Sequence, residues 1–479
     1  MNHNHIYHFV SLQFDHSKKE PLYRQLYEKL LEAILSHNLS PGYPLPPVRK
    51  LAASLHINIG TVLSAYRELE RNGYILTRRG SGSFVSGGAG LSSPPVSFDF
   101  SSPSDPGLYD MAHLTLDPAV FSAATLRSVV NRIIERDGSL AFSYTESQGY
   151  KPLRESVCRS LETHGILSSP CDIQVVSGSQ QGIDVAARAL VHPGDFVVME
   201  NPTYPGAAAA MHSCGARIID IPTDRSGISM EALEKVLLKF HPRLFYATPN
   251  IQNPTGITYS QDRRISLLGL AKRYRFYILE DDYMGGLYNG NSAPPTLKSL
   301  DTHDRIIYLR SISSLFFPGF RLAFLIMPPC LAPSLKSIKQ ITDIATSGLT
   351  QRIFDWYLRE GLWSSHLSSL RQACRMRLDF ALDAAENYLP QSTSFIKPAG
   401  GLSLWITLPE GCSAEALSAS ARQKGFLFTP GSSFYIRQPS DSHLRISFSS
   451  VSLPVMEEGF RLLGTLCRAL DRTQRSASI

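Results

Sequence analysis

The sequence predicts two folded units in one chain: an N-terminal helix-turn-helix followed by a β-hairpin, and a much larger α/β unit that ends in a smaller α+β unit. Three observations predict this. Residues 21–85 carry three apolar stripes at helical spacing with short connections. Residues 86–107 are linker-like, with fifteen of 22 positions Ser, Gly or Pro and only Asp99 and Asp105 charged. Beyond them, β-rich runs alternate with helical segments, the pattern of a mostly parallel, buried sheet. At 479 residues, 43% of them hydrophobic, the chain is also too long for one ordinary core.

In the N-terminal unit the first stripe is Tyr23, Leu26, Tyr27, Leu30, Leu31 and Ile34. The second is Val48, Leu51, Ala52 and Leu55, and the third Val62, Ala65, Tyr66 and Leu69. Only His56–Gly60 separates the second helix from the third, which predicts a helix-turn-helix. Asn72-Gly73 ends the third helix, because Gly tolerates the left-handed cap. Tyr74–Thr77 and Ser83–Val85 then flank Arg78-Arg79-Gly80-Ser81-Gly82, a hairpin with a basic tip.

In the body the expected strands are Ile173–Ser177, Phe196–Met199, Ile218–Ile221, Leu244–Ala247, Phe276–Leu279, Ile306–Leu309 and Leu322–Ile326, about seven in all. Helical patterns such as Met230–Phe240 and Ser260–Tyr274 lie between them, and strands Leu402–Ile406 and His443–Phe448 belong to the closing α+β unit. The division expected from these signals is 15–85, linker 86–107, 108–330 and 331–479.

Charge narrows the function. The net charge is +6, which excludes a histone-like protein, but residues 1–86 hold +4 of it. That concentration points to an anionic partner for the small unit. The seven cysteines are scattered, absent from residues 1–86 and without metal-ligand spacing, so reduced thiols in a cytoplasmic protein and no metal site are expected. No signal peptide and no membrane span is read in the chain.

A helix-turn-helix places its second helix in the DNA major groove. The face carrying Asn58, Thr61, Ser64 and Arg67 is the expected readout. Arg49 and Lys50 open the preceding helix, where they suit phosphate. Arg78 and Arg79 sit at the hairpin tip, where Gly82 allows close approach. The alternative is a small dimerisation module with solvated charges. Residues 21–85, from PLYRQLYEKLLEAIL through VRKLAASLHINIGTVLSAYRELERNGYILTRRGSGSFV, closely resemble the winged helix of GntR-type regulators. One departure stands out. Ile59 and Gly60 occupy the start of the recognition helix, where members of that family often carry polar or basic residues.

Five motifs follow in the body. Ser177-Gly178-Ser179-Gln180-Gln181 opens a helix after a strand, which suits a phosphate but also fits an ordinary β–α turn. Asn201-Pro202-Thr203-Tyr204-Pro205 ends a strand with an aromatic that can stack on a ring or lie in the core. Asn250–Gly256 is a turn by its own chemistry and can aim the Asn253 amide at an oxygen. Glu280-Asp281-Asp282-Tyr283 puts acids at the carboxyl end of a parallel strand, where α/β sheets bind ligands; one of the two Asp residues suits a protonated pyridine nitrogen. Arg310–Arg321 offers serines and an arginine to a phosphate.

In this order the motifs resemble a fold-type I aminotransferase domain over roughly residues 110–470. With the winged helix in front, the chain is identified as a member of the MocR-type subfamily of GntR regulators. The resemblance implies a head-to-tail homodimer that binds an operator of double-stranded DNA through paired half-sites and responds to pyridoxal 5'-phosphate or to an amine or amino-acid effector. It also implies residue roles. Ser179 and Gln180 contact the phosphate, Tyr204 stacks on the pyridine ring, and Asn253 and Tyr283 hydrogen-bond its phenolic oxygen. Asp281 pairs with the ring nitrogen, and Ser311 and Arg321 complete the phosphate cup. Arg445 clamps an effector carboxylate, although a surface ion pair is the other reading of that residue. Tyr144 reaches the partner subunit's pocket.

One position departs from the pattern. The family's Schiff-base lysine lies four residues before the proline of Pro-Gly-x-Arg, and four before Pro318 is Ser314. Gly319, Arg321 and Leu322 keep the register. Lys298, Lys336 and Lys339 are nearest in sequence but differently placed. A serine hydroxyl neither forms an imine nor shuttles protons at neutral pH. The expectation is therefore a regulator without aminotransferase activity. Its pocket binds a B6 phosphate noncovalently, alone or already joined to an amine. Another phosphate ligand, or a scaffold role in dimerisation, follows in rank. The competing functions are an aminotransferase with an appended DNA-binding domain, and a ligand-independent DNA-binding dimer.

Overall fold

The computed structural model describes residues 14, 21–35, 39, 42–71, 74–78, 82–85, 108–290, 293–437 and 440–477. In the N-terminal domain, helices α1 (Leu22–Leu35), α2 (Val48–Leu55) and α3 (Ile59–Arg71) precede the hairpin of β1 (Ile75–Arg78) and β2 (Gly82–Val85). The hairpin pairs Ile75 with Val85 and Arg78 with Gly82. Leu26, Leu30, Leu51, Val62, Ala65 and Leu69 are buried together, so the three stripes share one core. The turn is shorter than the sequence suggested. His56 closes α2 with a left-handed backbone, and Asn58 caps α3 by accepting Gly60 N–H at 2.7 Å. Ile59 and Gly60 are thus the first residues of α3 and not part of the turn. Arg79 and Asn72-Gly73 lie outside the described residues.

In the body, β3 (Tyr109–Asp110) and α4 (Ala123–Asp137) lead to α5 (Lys151–Glu162). Next come β4 (Ile173–Val176), α6 (Ser179–Leu190), β5 (Phe196–Asn201), α7 (Pro205–Ser213), β6 (Arg217–Asp224) and β7 (Gly227–Ile228). They are followed by α8 (Met230–Lys239), β8 (Leu244–Ala247), α9 (Gln261–Tyr274), β9 (Tyr277–Asp281), α10 (Leu297–Leu300), β10 (Ile306–Ser311) and β11 (Ala323–Ile326). The sheet runs β4-β11-β10-β9-β8-β5-β6-β7. Strand β11 is antiparallel to both neighbours, β7 is a two-residue antiparallel edge, and the remaining pairings are parallel. Strands such as β4 and β8 are buried at every position, as a sheet covered on both faces requires. The eight strands exceed the expected seven by β7, which is too short to leave a pattern.

The chain continues through α11 (Ala332–Asp343), α12 (Gly348–Arg359) and the 27-residue α13 (Leu362–Tyr388). The C-terminal sheet has the order β12-β13-β16-β15, formed by Ser394–Phe395, Ser403–Thr407, His443–Ser447 and Thr429–Pro430. Two features correct the expected division at residue 330. Strand β3 pairs with Phe426–Leu427, and Met111 sits in the C-terminal core, so the first residues of the body belong to the small unit. Helix α12 and the first half of α13 pack instead into the large core through Ile353, Phe354, Trp363 and Leu367. Pairings between residues hundreds of positions apart leave no local signal.

The N-terminal domain lies against the body through α1. Phe196 and Phe240 pack on its core, Arg217 donates to the Ile34 carbonyl at 3.4 Å, and Lys239 pairs with Glu32 at 2.8 Å.

Candidate functional site

The site forms at the carboxyl ends of the parallel strands, where each strand hands over to a loop or helix. After β4 the backbone turns through Gly178, at φ +93°, and α6 begins at Ser179 with its first amides unpaired by the helix. A Cβ at Gly178 would stand 2.8 Å from Cζ of Arg321, so only glycine admits that guanidinium against the start of the helix. Arg321 itself holds a left-handed backbone, φ 49° and ψ 65°. That conformation costs a non-glycine residue about 1–2 kcal/mol and is maintained by its surroundings. Amides, helix dipole and guanidinium converge here on one anion-sized space.

The side chain of Gln180 is engaged within the protein, which leaves its backbone amide for the expected phosphate contact. Its Nε2 donates to the Gly206 carbonyl at 2.9 Å, and its Oε1 accepts the Tyr204 hydroxyl at 3.0 Å. Both ends of the amide are spent on fixing α7 and Tyr204. Gly206 permits the approach, since a Cβ there would fall 2.6 Å from the Tyr204 ring. Burial, with Asp281 nearby, pushes the Tyr204 phenol up to about 12, while Arg321 and Arg445 oppose that shift. These charges therefore surround Tyr204.

The two aspartates of the Glu-Asp-Asp-Tyr motif separate cleanly. Asp282 points into a cage where Oδ1 accepts Asn250 Nδ2 at 3.2 Å and Oδ2 accepts Tyr308 at 2.6 Å and Arg310. Arg310 and the two donors hold it below the ordinary carboxylate range despite burial. Asp281 has no cation beside it. Its Oδ2 accepts Tyr246 at 2.8 Å, while Oδ1 is buried without a partner. Burial raises its pKa to about 7, and the Tyr246 bond only partly offsets this. An orphaned, buried carboxylate oxygen costs about 1–3 kcal/mol and fits a protonated ring nitrogen.

Arg445, on β16, is buried from the other side. It donates to Asn253 Oδ1 at 2.8 Å and to the Ala112 carbonyl at 2.7 Å, and its guanidinium lies 4.8 Å from the Phe434 ring centroid. Its Nε has no partner, and among the described residues no carboxylate lies within ion-pair distance. Burial lowers its pKa to about 10. Arg445 is therefore not a surface ion pair. Asn253 is placed at the pocket, with its amide oxygen given to Arg445. Tyr283 is raised by burial and feels Arg445, Asp281 and Tyr204, which puts it in the same space.

Ser311 ends β10, buried opposite Ala323, and half-buried Ser314 lies in the following turn. Ser313 locks that turn by accepting Leu322 N–H at 2.8 Å, and the Leu315 carbonyl accepts His366 Nε2 at 2.7 Å. The lysines nearest in sequence are committed elsewhere or lie on α11: Lys298 stands 3.8 Å from Asp301, buried Lys339 pairs with Asp343, and Lys336 is on α11. Asp343 in turn accepts Ser177 at 3.1 Å and Gln181 at 2.8 Å, which braces the phosphate turn. Tyr144 is 87% exposed and outside its own chain's pocket. Sequence reading missed Tyr246, Arg310, the Asp343 brace and buried Glu200, which Tyr259, Gln252 and Thr248 satisfy at 2.5, 3.4 and 3.2 Å. None of these has a local signature, because each meets its partner only across strands.

On the N-terminal domain, Arg49, Lys50, Ser64 and Arg67 are exposed, Thr61 is half-exposed and Asn58 is exposed with its side-chain oxygen engaged as the helix cap. Gly82 has no neighbour where a Cβ would stand, and Arg78 is placed by its backbone pairing with it. Among the described residues no group of three or more His, Cys, Asp or Glu could hold a metal, and no helix is long and apolar enough to cross a membrane.

A winged helix-turn-helix joined to an α/β site with a glycine turn at a helix N-terminus, a buried carboxylate and a buried arginine has the architecture of a DNA-binding regulator built on an aminotransferase fold. Comparison agrees. Residues 22–85 match the gntR family of bacterial regulatory proteins, and residues 116–462 match aminotransferase class I and II. The chain is 27% identical to the probable rhizopine catabolism regulatory protein MocR of Rhizobium meliloti, over 96% of each chain. It is 31% identical to aromatic-amino-acid aminotransferase 1 of Thermococcus litoralis, over 72% of this chain and 84% of that one. The Pyrococcus horikoshii kynurenine aminotransferase structure, a complex with PMP, superposes with a TM-score of 0.73 at 31% identity, covering 76% of this chain and 92% of that one. The chain belongs to the aminotransferase class I and II family and, with its gntR-family head, to the MocR-type transcription regulators.

Proposed function

We propose that this protein regulates transcription by binding DNA through its winged helix while its aminotransferase-like domain holds pyridoxal 5'-phosphate, or a related amine or amino-acid ligand, noncovalently. The observation that carries the reading is the buried pair of unmet valences, Asp281 Oδ1 and Arg445 Nε, in a chain with Ser314 at the lysine position. Unmet valences of this kind weaken the ligand-free fold and suit a ligand that fills them.

Each residue has a task in this reading. The amides from Ser179 onward and Arg321 take the phosphate, with Ser311 beside them. Tyr204, fixed by Gln180, covers one ring face. Asp281 accepts the ring N–H, and Tyr283 and Asn253 border the phenolic oxygen. Arg445 takes a carboxylate. Pyridoxal phosphate, when bound, supplies an electrophilic aldehyde on an electron-accepting ring. Ser314 supplies no amine to it, so the protein is not an aminotransferase. The division 15–85, 86–107 and onward, with the body boundary adjusted as described, separates reader from sensor.

The homodimer is supported by exposed apolar groups at the rim. Leu140, Phe142 and Tyr144 are exposed on one loop, and Ile341 and Ile344 at the end of α11; Thr145 reaches the Thr346 carbonyl between them at 3.5 Å. A second copy placed head-to-tail covers this rim and sends Tyr144 toward the neighbouring pocket. The site of action is the cytoplasm, where DNA is at hand and the seven free cysteines stay reduced.

The test is calorimetry of the full-length protein with pyridoxal and pyridoxamine phosphates, borohydride treatment, and an amino-transfer assay. Binding without a borohydride-stable lysine adduct and without turnover is expected. A second reading, an aminotransferase with an appended DNA-binding domain, is favoured by the Thermococcus likeness and wins if turnover is seen.

A further inference from the structure

A second concavity, of about 390 Å³, opens between α5, the end of α12 and the start of α13. Three guanidinium groups border it, those of Arg159, Arg359 and Arg371, with the hydroxyls of Ser160 and Ser364 and the indole of Trp363. Its volume is that of a small-molecule site.

The charge does not balance. Asp355, fully buried, is the one carboxylate engaged: it accepts Ser156 Oγ at 2.6 Å and Arg359 Nε at 2.9 Å. Arg159 is held by Ser156 Oγ at 2.9 Å, and Arg371 by the Gly286 carbonyl at 2.7 Å. Neither has an ion-pair partner among the described residues. Burial and the neighbouring Arg310 both pull the Arg371 guanidinium below its ordinary value. Two exposed arginines without an ion-pair partner among the described residues, with hydroxyls beside them, therefore border a recess whose wall includes Trp363, Leu358 and Leu367. Guanidinium forks presented this way match phosphate or carboxylate oxygens, and the apolar wall matches an apolar group beside them.

We propose that this basin is a second ligand site, separate from the aminotransferase-like pocket, for a small organic anion that carries a phosphate or carboxylates on an apolar body. Its position gives it access to the first pocket. Arg371 holds Gly286, in the turn just after Asp281 and Tyr283. His366, stacked on Trp363 with ring centroids 5.6 Å apart, holds Leu315, next to Ser314. One stretch of α13 thus lines the basin and anchors two walls of the pocket. The binding claim stands whether or not the pocket takes a B6 phosphate.

Phenyl phosphate and citrate are the probes, titrated calorimetrically into full-length protein. Three chains are compared: the native one, Arg321→Gln to disable the phosphate turn, and Arg159→Gln/Arg371→Gln to disable the basin. Binding of at least one probe is expected to survive Arg321→Gln and to fall by about a hundredfold in the double variant, since each charge-assisted bond contributes about tenfold. Which probe binds tells phosphate from carboxylate recognition. No binding of either probe, binding abolished by Arg321→Gln alone, or binding unchanged in the double variant overturns the proposal. Should the double variant fail to melt cooperatively, Arg159→Gln alone removes an exposed group and is expected to weaken binding by about tenfold.

Discussion

At the scale of single residues, the pocket is defined by what its groups lack. Asp281 is raised to about 7 by burial, Glu200 to about 7 and Glu280 to about 8. All three lie above the ordinary carboxylate value, so between about pH 4 and pH 8 these three groups hold more protons in the folded chain than in the unfolded one. The stability these three contribute is fully present at the acid end of that window and is lost as pH rises through the folded values. Asp281→Asn keeps the acceptor for Tyr246 and removes one of the three protons. It is expected to flatten the fall in urea-unfolding stability across pH 4–7, by at most about 1.4 kcal/mol per pH unit. An unchanged slope would mean that Asp281 is solvated. The same variant should lose affinity for a B6 phosphate while leaving DNA affinity intact. Ser314→Lys tests the register directly. It should yield a borohydride-stable adduct with pyridoxal phosphate that the native chain lacks, and no adduct would place the lysine position elsewhere. Gly178→Ala combines φ +93° with an overlap on Arg321. It should cost about 1–3 kcal/mol in thermal unfolding and displace the Arg321 guanidinium.

At the scale of elements, legibility followed the range of the information. Strands β8 and β10 and the stripes of α1 to α3 were readable because burial repeats along each segment itself. The placement of Asp281 and Ser179 at the rim of the sheet was readable because they lie at strand and helix ends. The side-chain bonds of Gln180 were not readable, because its partners, Gly206 and Tyr204, arrive from another βα unit. The engagement of Asp282 was likewise not readable, because Arg310 and Tyr308, which hold it, lie one strand over. Helix α3 shows the opposite case, in which a departure in the sequence becomes a surface in the structure. Ile59 is 50% exposed and Leu63, one turn on, 38% exposed, in line with exposed Arg67. Two apolar groups on a recognition helix complement the C5-methyl of thymine in the major groove. Ile59→Ala should weaken operator binding by about fourfold, the value of a lost methyl-scale contact. The native protein should lose about as much when contacted thymines are replaced by uracil. Equal affinity for both duplexes would assign Ile59 to backbone packing alone.

At the scale of the whole molecule, the question is how a pocket in the body reaches a reading head. The head docks through α1, so the exposed face of α3 stays free; docking orients the reading surface and does not cover it. The contact itself is apolar. The Lys239–Glu32 pair is 60% and 58% exposed, and such surface pairs contribute only about 0–1 kcal/mol. Phe196 and Phe240, 4.9 Å apart and tilted, supply the packing. The strand that starts at Phe196 ends at Asn201, whose amide holds Asp220 at 2.9 Å, three residues before Tyr204. Asp220 also pairs with Arg437, whose charge faces Tyr27, Glu28 and Tyr74 of the head. One strand therefore has the head at one end and Tyr204 just beyond the other. If ligand occupancy acts on DNA through this contact, Phe240→Asp should disconnect the two. Burying a carboxylate against Phe196 and the α1 core costs more than the contact gains, so the head should separate from the body. Small-angle scattering should then report a larger radius of gyration at unchanged mass. Operator affinities with and without saturating pyridoxal phosphate, distinct in the native protein, should converge. Separation of the heads with the ligand response preserved would show that the signal crosses the dimer interface instead.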